Sequence, residues 1–197
     1  MTISRWPLVA VCGKFQPFHN DHLKYVLAGF DHGDHVIVGV TNPDPWYTRP
    51  EDADQTRGQP ASNPLTYYER YLMIRDSLRE SQVGDDRYDI VPFPINVPAS
   101  WFYYIPRQAT FLLTLYDDDR WLEVRKQKLE DHGATTHVLW SSHEKAISGV
   151  DVRSRIVSGD GWEQLVPHAV ARIINERRIA ERIRQLKANP EAGFYQP

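Results

Sequence analysis

Apolar residues along the chain alternate between short continuous runs and positions with helical spacing. The continuous runs are typical of strands buried on both faces, and they predict strands at Pro7–Cys12, His35–Val40, Tyr88–Pro94, Ala109–Tyr116 and Thr136–Trp140. Helical spacing predicts helices between them at Asn20–Phe30, Leu65–Glu80 and Asp119–His132. Strands that alternate with helices predict an α/β fold, a Rossmann-like parallel sheet flanked by helices.

The last quarter of the chain reads as helical throughout. A helix is predicted at Gly149–Ser158, ended by Gly159, and one long helix is predicted at Leu165–Lys187. We therefore expect a Rossmann-like core over residues 1–145 and a C-terminal helical segment over residues 146–197, both in the same compact domain. The one long irregular segment, which includes the loop 43–60, is rich in Pro, Asp and Gly, and loops of this length tend to be functional or mobile.

Composition narrows the class of protein. Apolar residues make up 41% of the 197 positions and charged residues 25%, which supports a packed core. The net charge of −3 argues against a basic nucleic-acid-binding protein, and no segment is long and apolar enough to span a bilayer. The single cysteine, Cys12, excludes a disulfide framework and favours a reducing, cytoplasmic compartment. We expect Cys12 to be a buried small hydrophobe.

The segment Gly13–His22, GKFQPFHNDH, follows the first predicted strand and opens the first predicted helix. Ligands of parallel sheets bind at such places, and the free N–H groups of a helix N-terminus favour phosphate. His19 and His22 are three positions apart and can face the same anion, while Lys14 adds positive charge. Two histidines supply too few ligands for zinc, so a phosphate site is favoured over a metal site or a plain surface turn, and no metal-ligating residue is predicted.

A second segment, Ile147–Arg155, reads ISGVDVRSR. Ser148 and Gly149 stand where a helix begins, so a hydroxyl and free N–H groups can hold a phosphate there. Arg153 and Arg155 follow on that helix, and guanidinium groups bind phosphate through paired hydrogen bonds. The segment alone is equally typical of a capped helix with surface arginines. Together with the first segment, it forms the other half of a predicted phosphate clamp.

Both segments resemble signatures of one enzyme group. GKFQPFHNDH resembles the (H/T)xGH signature of the nucleotidylyltransferase superfamily, and ISGVDVRSR resembles its ISxTxxR signature. Within that superfamily the chain is similar to the archaeal-type nicotinamide mononucleotide adenylyltransferases. Their N-P-F-T-x-x-E-R segment resembles NPLTYYER at Asn63–Arg70, and their W-x-x-L-V-P-x-A-V segment resembles WEQLVPHAV at Trp162–Val170. The resemblance covers the whole chain in order.

The resemblance implies a nucleotidylyl transfer. An oxygen of a small phosphate or phosphonate acceptor attacks the α-phosphorus of a nucleoside triphosphate, pyrophosphate leaves, and Mg²⁺ is held largely by the phosphates. The residues that it marks as catalytic are His19, His22, Lys14 and Arg153. Those that it marks as nucleotide-binding are Gly13, Phe15, Gln16, Ser148, Gly149, Val150 and Arg155. Related enzymes often self-associate, so a homo-oligomer is one expectation, and no nucleic-acid or membrane partner is expected.

Several positions depart from the family pattern. Lys14 replaces an arginine, Val150 replaces a threonine, and Asp21 replaces the glycine between the histidines. A carboxylate beside a triphosphate is repulsive, so Asp21 must point away or help with Mg²⁺. Thr114–Asp119, TLYDDD, stands where the adenylyltransferases carry an S-G-N-like turn near the nucleotide.

The departures leave the substrates open. One alternative is an adenylyltransferase that makes NAD from ATP. The other is a cytidylyltransferase that attaches CMP to a small phosphonate such as phosphonoformate, because cytidylyltransferases of phosphonate pathways resemble the same adenylyltransferases. A third alternative is a nucleotide-binding regulator without catalysis. The candidate acceptor-binding residues are Trp101, Arg57, Arg107 and Asn63, together with Arg49; Trp101 is equally typical of a core or rim aromatic, and the arginines are typical of solvated surface.

Overall fold

A computed structural model describes residues 5–45, 48, 58–116, 120–142 and 146–189. In this part of the chain five strands form one sheet: β1 (Trp6–Gly13), β2 (Gly33–Thr41), β3 (Tyr88–Phe93), β4 (Thr110–Tyr116) and β5 (Thr135–Ser142). The sheet order is β3–β2–β1–β4–β5, and all neighbouring strands are parallel. The predicted α/β, Rossmann-like fold is confirmed.

Seven α-helices accompany the described strands. They are α1 (Asn20–His32), α2 (Tyr67–Glu80), α3 (Trp101–Tyr104), α4 (Arg120–Asp131), α5 (Gly149–Ser158), α6 (His168–Glu176) and α7 (Ile179–Ala188). Short 3₁₀ turns lie at Pro60–Ser62, Asp85–Arg87, Pro98–Ser100 and Trp162–Leu165. Local signals mark the ends of two of these helices. Thr66 and Glu69 form a capping box at the start of α2, and Gly159, in the left-handed conformation with φ 77°, ends α5.

The two faces of the sheet carry separate cores, because successive side chains of a strand point to opposite faces. Val9 and Val11 of β1 pack into a large cluster with side chains of α1, α2 and the three C-terminal helices. Ala10 and Cys12 pack into a second cluster with side chains of α3 and α4. Burial of β1 on both faces explains its continuous apolar run.

The crevice of the sheet opens between β1 and β4. These strands pair only where Val9–Val11 face Thr110–Leu112, although β1 continues to Gly13 and β4 to Tyr116. The chain leaves β1 toward β2 on one side and returns to β4 on the other, so the strand order reverses at this point. Ligands of open parallel sheets bind outside the carboxyl ends of strands at such a reversal.

The single long C-terminal helix predicted at Leu165–Lys187 is wrong. The structure has two helices, α6 and α7, separated at Arg177 and Arg178, and Arg178 has a left-handed φ of 54°. Tertiary packing explains the break, because α6 packs against α2 whereas α7 packs mainly against α5. Helical periodicity continues across the junction and gives no sign of this change of direction.

Candidate active site

His19 and His22 cap the helix that begins beneath the crevice. His19 is the N-cap residue of α1, and its Nδ1 accepts a hydrogen bond from the backbone N–H of His22 at 3.3 Å. The Nδ1 atom of His22 accepts the N–H of His19 at 3.4 Å, and the two rings stack with centroids 3.5 Å apart. An Nδ1 atom that accepts carries a lone pair, so each neutral ring holds its proton at Nε2. Each ring is therefore a hydrogen-bond donor suited to a phosphate oxygen.

Phe15 packs against the histidine pair. Its side chain is fully buried, its φ is +52°, and its ring meets His22 edge to face with centroids 4.9 Å apart. A Cβ atom on Gly13 would lie 2.5 Å from the Phe15 ring, so only glycine leaves room for the ring to fold back. The structure thus gives Gly13 and the Phe15 side chain a supporting place, and no part of that side chain is accessible to a nucleotide.

Gln16 ties three segments of the site together. Its buried side chain donates to the carbonyl of Leu65 at 3.1 Å and accepts the N–H of Leu65 at 2.9 Å. Its backbone carbonyl accepts a hydrogen bond from Nη1 of Arg153 at 2.5 Å. The side chain of Gln16 is therefore committed to the protein, although the sequence resemblance marked it as nucleotide-binding.

The first turn of α5 faces the same loop. Ser148 caps α5: its Oγ accepts the N–H of Asp151 and donates to the Asp151 carboxylate at 2.6 Å. The Asp151 carboxylate accepts hydrogen bonds from the hydroxyl and from the backbone N–H of Ser148, and these bonds, assisted by the nearby His19 and Arg155, hold its pKa below the usual value. The hydroxyl of Ser148 is thus committed to the cap, and phosphate binding at this turn falls to backbone N–H groups.

Gly149 and Val150 supply those N–H groups. Neither amide has an acceptor among the described residues, as expected for the first turn of a helix. A Cβ atom on Gly149 would lie 2.8 Å from the Gln16 carbonyl, so glycine permits this close approach. The Val150 side chain is 60% exposed and Arg155 is exposed, so neither side chain is packed into the site.

Arg153 places a positive charge between the two segments. Burial lowers the pKa of its guanidinium to about 10, and it forms no ion pair with any carboxylate in the described ranges. A cation that is removed from water without a counter-ion is costly, and an anion bound beside it offsets that cost. Arg153, the two imidazoles and two free backbone amides therefore form a site for an anion.

Arg70 is a functional-site residue to which the sequence reasoning assigned no role. It is almost completely buried and donates to the backbone carbonyls of Lys14, Thr41, Asn42 and Pro43, and also to that of Thr66. The first four carbonyls lie just after β1 and at the end of β2, next to Phe15 and Asn42, which have positive φ values of 52° and 48°. Burial lowers the pKa of Arg70 to about 10. Arg70 therefore holds the loops after β1 and β2 in backbone conformations that residues other than glycine rarely adopt.

A signal for Arg70 was present in the sequence. Arg70 shares one helical face with Met73, Ile74 and Ser77, all of which are buried. A charged residue on the apolar face of a helix is rare unless it is paired or hydrogen-bonded. This pattern, together with its place in NPLTYYER, marks Arg70 as a buried hydrogen-bond donor.

Lys14 and Asp21 also lie near the carboxyl end of β1. Lys14 directly follows β1 and is half-buried. The carboxylate of Asp21 points toward the start of α5, where its Oδ2 accepts the backbone N–H of Ile147 at 2.8 Å. Of the two expectations for Asp21, the structure thus supports an orientation toward protein backbone.

The predicted acceptor-binding residues do not converge. Trp101 is fully buried in the second core, and its Nε1–H donates to the Pro94 carbonyl at 3.2 Å, so no ligand can stack on it in this conformation. Arg107 precedes β4 and lies beside Gly133, which precedes β5. It therefore lies at the amino ends of the strands, whereas the crevice lies at their carboxyl ends. Asn63 is two residues from Leu65 and remains near the site, whereas Arg49 and Arg57 lie outside the described residues.

Other chemistries find little support in the described residues. Within these ranges no three His, Cys, Asp or Glu side chains cluster as a metal site, and Asp21 and Asp151 both accept backbone N–H groups. Cys12 is buried as predicted, and burial raises the pKa of its thiol to about 12, so it is not a nucleophile. None of the described helices is long and apolar enough to cross a membrane.

Comparisons with known proteins identify the chain as a nucleotidyltransferase. Residues 10–155 match the cytidylyltransferase-like family, and the chain belongs to that family. It is 46% identical, over 87% of its length and 92% of the relative, to a phosphonoformate cytidylyltransferase of Streptomyces viridochromogenes. It is 30% identical to a nicotinamide-nucleotide adenylyltransferase of Thermococcus kodakarensis, over 92% of this chain and 89% of that one.

Solved structures also share the fold. A bifunctional NMN adenylyltransferase/ADP ribose pyrophosphatase from Francisella tularensis superposes with a TM-score of 0.63 over 92% of this chain. The chain spans about half of that longer protein, 53%, and the sequences are 13% identical. At this identity the likeness shows the Rossmann-like fold alone.

Proposed function

We propose that the protein transfers CMP from CTP to a small phosphonate, phosphonoformate or a close analogue, with release of pyrophosphate. The observation that carries the choice of substrates is the 46% identity to a phosphonoformate cytidylyltransferase over 87% of the chain. The adenylyltransferase of Thermococcus kodakarensis is 30% identical. The burial of Trp101 also favours this choice, because it removes a candidate acceptor-binding side chain whose aromatic ring could have stacked on a nicotinamide ring.

The site supports a transfer without a covalent intermediate. An acceptor oxygen attacks the α-phosphorus, the bond from that phosphorus to the bridging oxygen breaks, and pyrophosphate takes the electron pair. Negative charge develops on the α-phosphate and on the leaving group, and preorganised donors stabilise it. His19 and His22 donate through Nε2–H, the Gly149 and Val150 amides donate from α5, and Lys14 and Arg153 supply positive charge.

Mg²⁺ enters this reaction with the nucleotide. Magnesium in nucleotide sites is usually held by substrate phosphates and one or two carboxylates. Among the described residues, Asp21 and Asp151 place carboxylates near the clamp, and both already accept backbone N–H groups. We therefore treat Mg·CTP as the substrate and assign no metal ligand to the protein. The proposal also places the reaction in the cytoplasm, in keeping with the lone buried Cys12.

A second candidate is the formation of NAD from ATP and nicotinamide mononucleotide. The whole-length similarity to adenylyltransferases of Thermococcus kodakarensis and Pyrococcus furiosus, at 30% and 31% identity, favours it. Both candidates use the same phosphate clamp. They differ in the base and in the acceptor, so substrate pairs distinguish them.

The test is release of pyrophosphate from purified protein with Mg²⁺. CTP and ATP are each paired with phosphonoformate and with nicotinamide mononucleotide, and His19→Asn serves as the impaired control. We expect release with CTP and phosphonoformate only. Release with ATP and nicotinamide mononucleotide but not with CTP would overturn the proposal. Tight nucleotide binding without release from any pair would identify a non-catalytic regulator.

A further inference from the structure

The carboxylate of Asp21 links the two helices whose N-termini form the phosphate clamp. Asp21 lies in the first turn of α1, and its Oδ2 accepts the backbone N–H of Ile147 at 2.8 Å. Ile147 immediately precedes Ser148, the N-cap of α5. A side chain at the start of one helix therefore holds the backbone at the start of the other, although 126 positions separate them.

Among the described residues, few other polar contacts join the start of α5 to the loop between β1 and α1. Arg153 donates to the Gln16 carbonyl, and Gly149 lies so close to the same carbonyl that a Cβ atom would be 2.8 Å from it. Both of these contacts are made to Gln16. Asp21 contacts a different part of α5, the backbone that leads into the N-cap, so it adds a separate attachment of the first turn.

We propose that Asp21 is a positioning residue for phosphate binding: its hydrogen bond to Ile147 aims the amides of Gly149 and Val150 at the anion that His19 and His22 contact. This inference rests on the proposed function. The charge of Asp21 itself opposes a triphosphate, so the contribution comes from the hydrogen bond. An amide side chain of the same length retains an acceptor oxygen and carries no charge. We therefore expect Asp21→Asn to keep the affinity for phosphate, and a side chain too short to reach the Ile147 N–H to lower it.

The first measurement needs no transfer reaction. Binding of inorganic tripolyphosphate is measured by calorimetry for wild type, Asp21→Ala and Asp21→Asn, with Asp31→Asn as the matched control, an exposed aspartate in the last turn of the same helix. We expect Asp21→Ala to weaken binding about tenfold, equivalent to about 1.4 kcal/mol. We expect Asp21→Asn and Asp31→Asn to bind at least as tightly as wild type.

The second measurement is hydrogen exchange of single amides. We expect the Ile147 amide to exchange faster in Asp21→Ala, while the Val152 amide, bonded to the Ser148 carbonyl within α5, keeps its protection. Asp21→Asn retains protection at Ile147. Asp21→Ser is a second variant with a side chain one bond shorter, which keeps the experiment decisive if Asp21→Ala folds poorly.

Kinetics separate positioning from a general loss of structure. In Asp21→Ala we expect kcat/KM for the nucleotide to fall at least about tenfold, because the amides of Gly149 and Val150 hold the phosphates and also stabilise the charge that develops in the transition state. Asp21→Asn should retain the wild-type kcat/KM, which a general loss of structure at this position would not allow. Wild-type tripolyphosphate affinity in both Asp21→Ala and Asp21→Ser would overturn the inference, and so would equal impairment in Asp21→Asn. If wild type releases no pyrophosphate from any pair, yet Asp21→Ala loses tripolyphosphate affinity and Ile147 protection, the inference stands and the proposed function falls.

Discussion

His19 and His22 cap α1 through each other: the Nδ1 atom of each ring accepts the backbone N–H of the other residue, and the rings stack 3.5 Å apart. Histidine is an uncommon N-cap residue, since Ser, Thr, Asp and Asn are preferred there. The arrangement fixes both tautomers, because each Nδ1 must keep a lone pair. The same hydrogen bonds that begin the helix thus leave each ring with an Nε2–H donor, and the proposed reaction uses these two donors to bind phosphate.

Two substitutions of His19 separate the cap from the chemistry. His19→Ala loses both, so we expect turnover to fall about 10²–10³-fold and the free energy of unfolding to fall by about 1 kcal/mol. His19→Asn retains a capping oxygen but no imidazole, so it recovers the stability and not the turnover. Pyrophosphate release and urea unfolding measure the two effects. His168→Ala, at an exposed position on α6, should change neither, and full activity in His19→Asn would remove His19 from the catalytic residues.

Arg153 predicts a pH dependence. Burial lowers the pKa of its guanidinium to about 10, and only the cation attracts the triphosphate. The charge is therefore complete below about pH 10 and is lost as pH rises through that value, so kcat/KM for the nucleotide should decline there. Arg153→Met should lower kcat/KM at pH 8 about 10²-fold and should lack this decline. A decline of equal size and midpoint in Arg153→Met would assign the titration to another group.

Arg70 should dominate the stability of the strand-end loops. Arg70→Met leaves the carbonyls after β1 and at the end of β2 without their donor, and each unpaired buried carbonyl costs about 1–3 kcal/mol. We expect the free energy of unfolding in urea to fall by at least about 3 kcal/mol. The control is Arg79→Met, at an exposed arginine that pairs with Asp85, with an expected change of less than about 1 kcal/mol. Equal effects of the two variants would contradict the role of Arg70.

The ion pair between the buried Glu69 and the half-buried Arg182 predicts how stability depends on pH. Burial alone would raise the pKa of Glu69, but hydrogen bonds from Arg182 and Thr66 outweigh it and hold the pKa below its ordinary 4.5. Because the folded-state pKa is the lower one, the stabilisation is complete above about pH 4.5 and is lost as pH falls through the folded-state value. Glu69→Gln should therefore cost about 3 kcal/mol at pH 7 and progressively less in acid.

Unfolding of Glu69→Gln and wild type is compared at pH 7, 5 and 3. Glu181→Gln is the control, because Glu181 is exposed and pairs only with Arg178 among the described residues, three positions earlier. Its substitution should change stability by less than about 0.5 kcal/mol at every pH. A cost of Glu69→Gln that is independent of pH would show that shape rather than charge explains the pair.

Much of the fold follows from local signals in the sequence. The apolar run at Pro7–Cys12 is a strand because both of its faces are buried, and Thr66 with Glu69 forms the capping box that their spacing predicts. The segment that begins α1 likewise follows from its position after a strand, and the start of α5 follows from Ser148 and Gly149, which are typical of the first turn of a helix. These features depend on hydrogen bonds between residues close in sequence and on the periodicity of apolar positions. The order of residues along the chain is therefore sufficient to predict them.

Tertiary packing decided the rest, because it brings together residues that pattern cannot relate. The break at Arg178 depends on which helices α6 and α7 pack against, and Trp101 is excluded from the site only because the second core closes over it. The parallel topology places Arg107 at the amino ends of the strands, away from the crevice at their carboxyl ends. The sequence by itself determined the strands, several helix boundaries and the position of the two segments that are proposed to bind phosphate. Only the tertiary structure decided that the carboxylate of Asp21 joins those segments, since a hydrogen bond across 126 positions leaves no local signal.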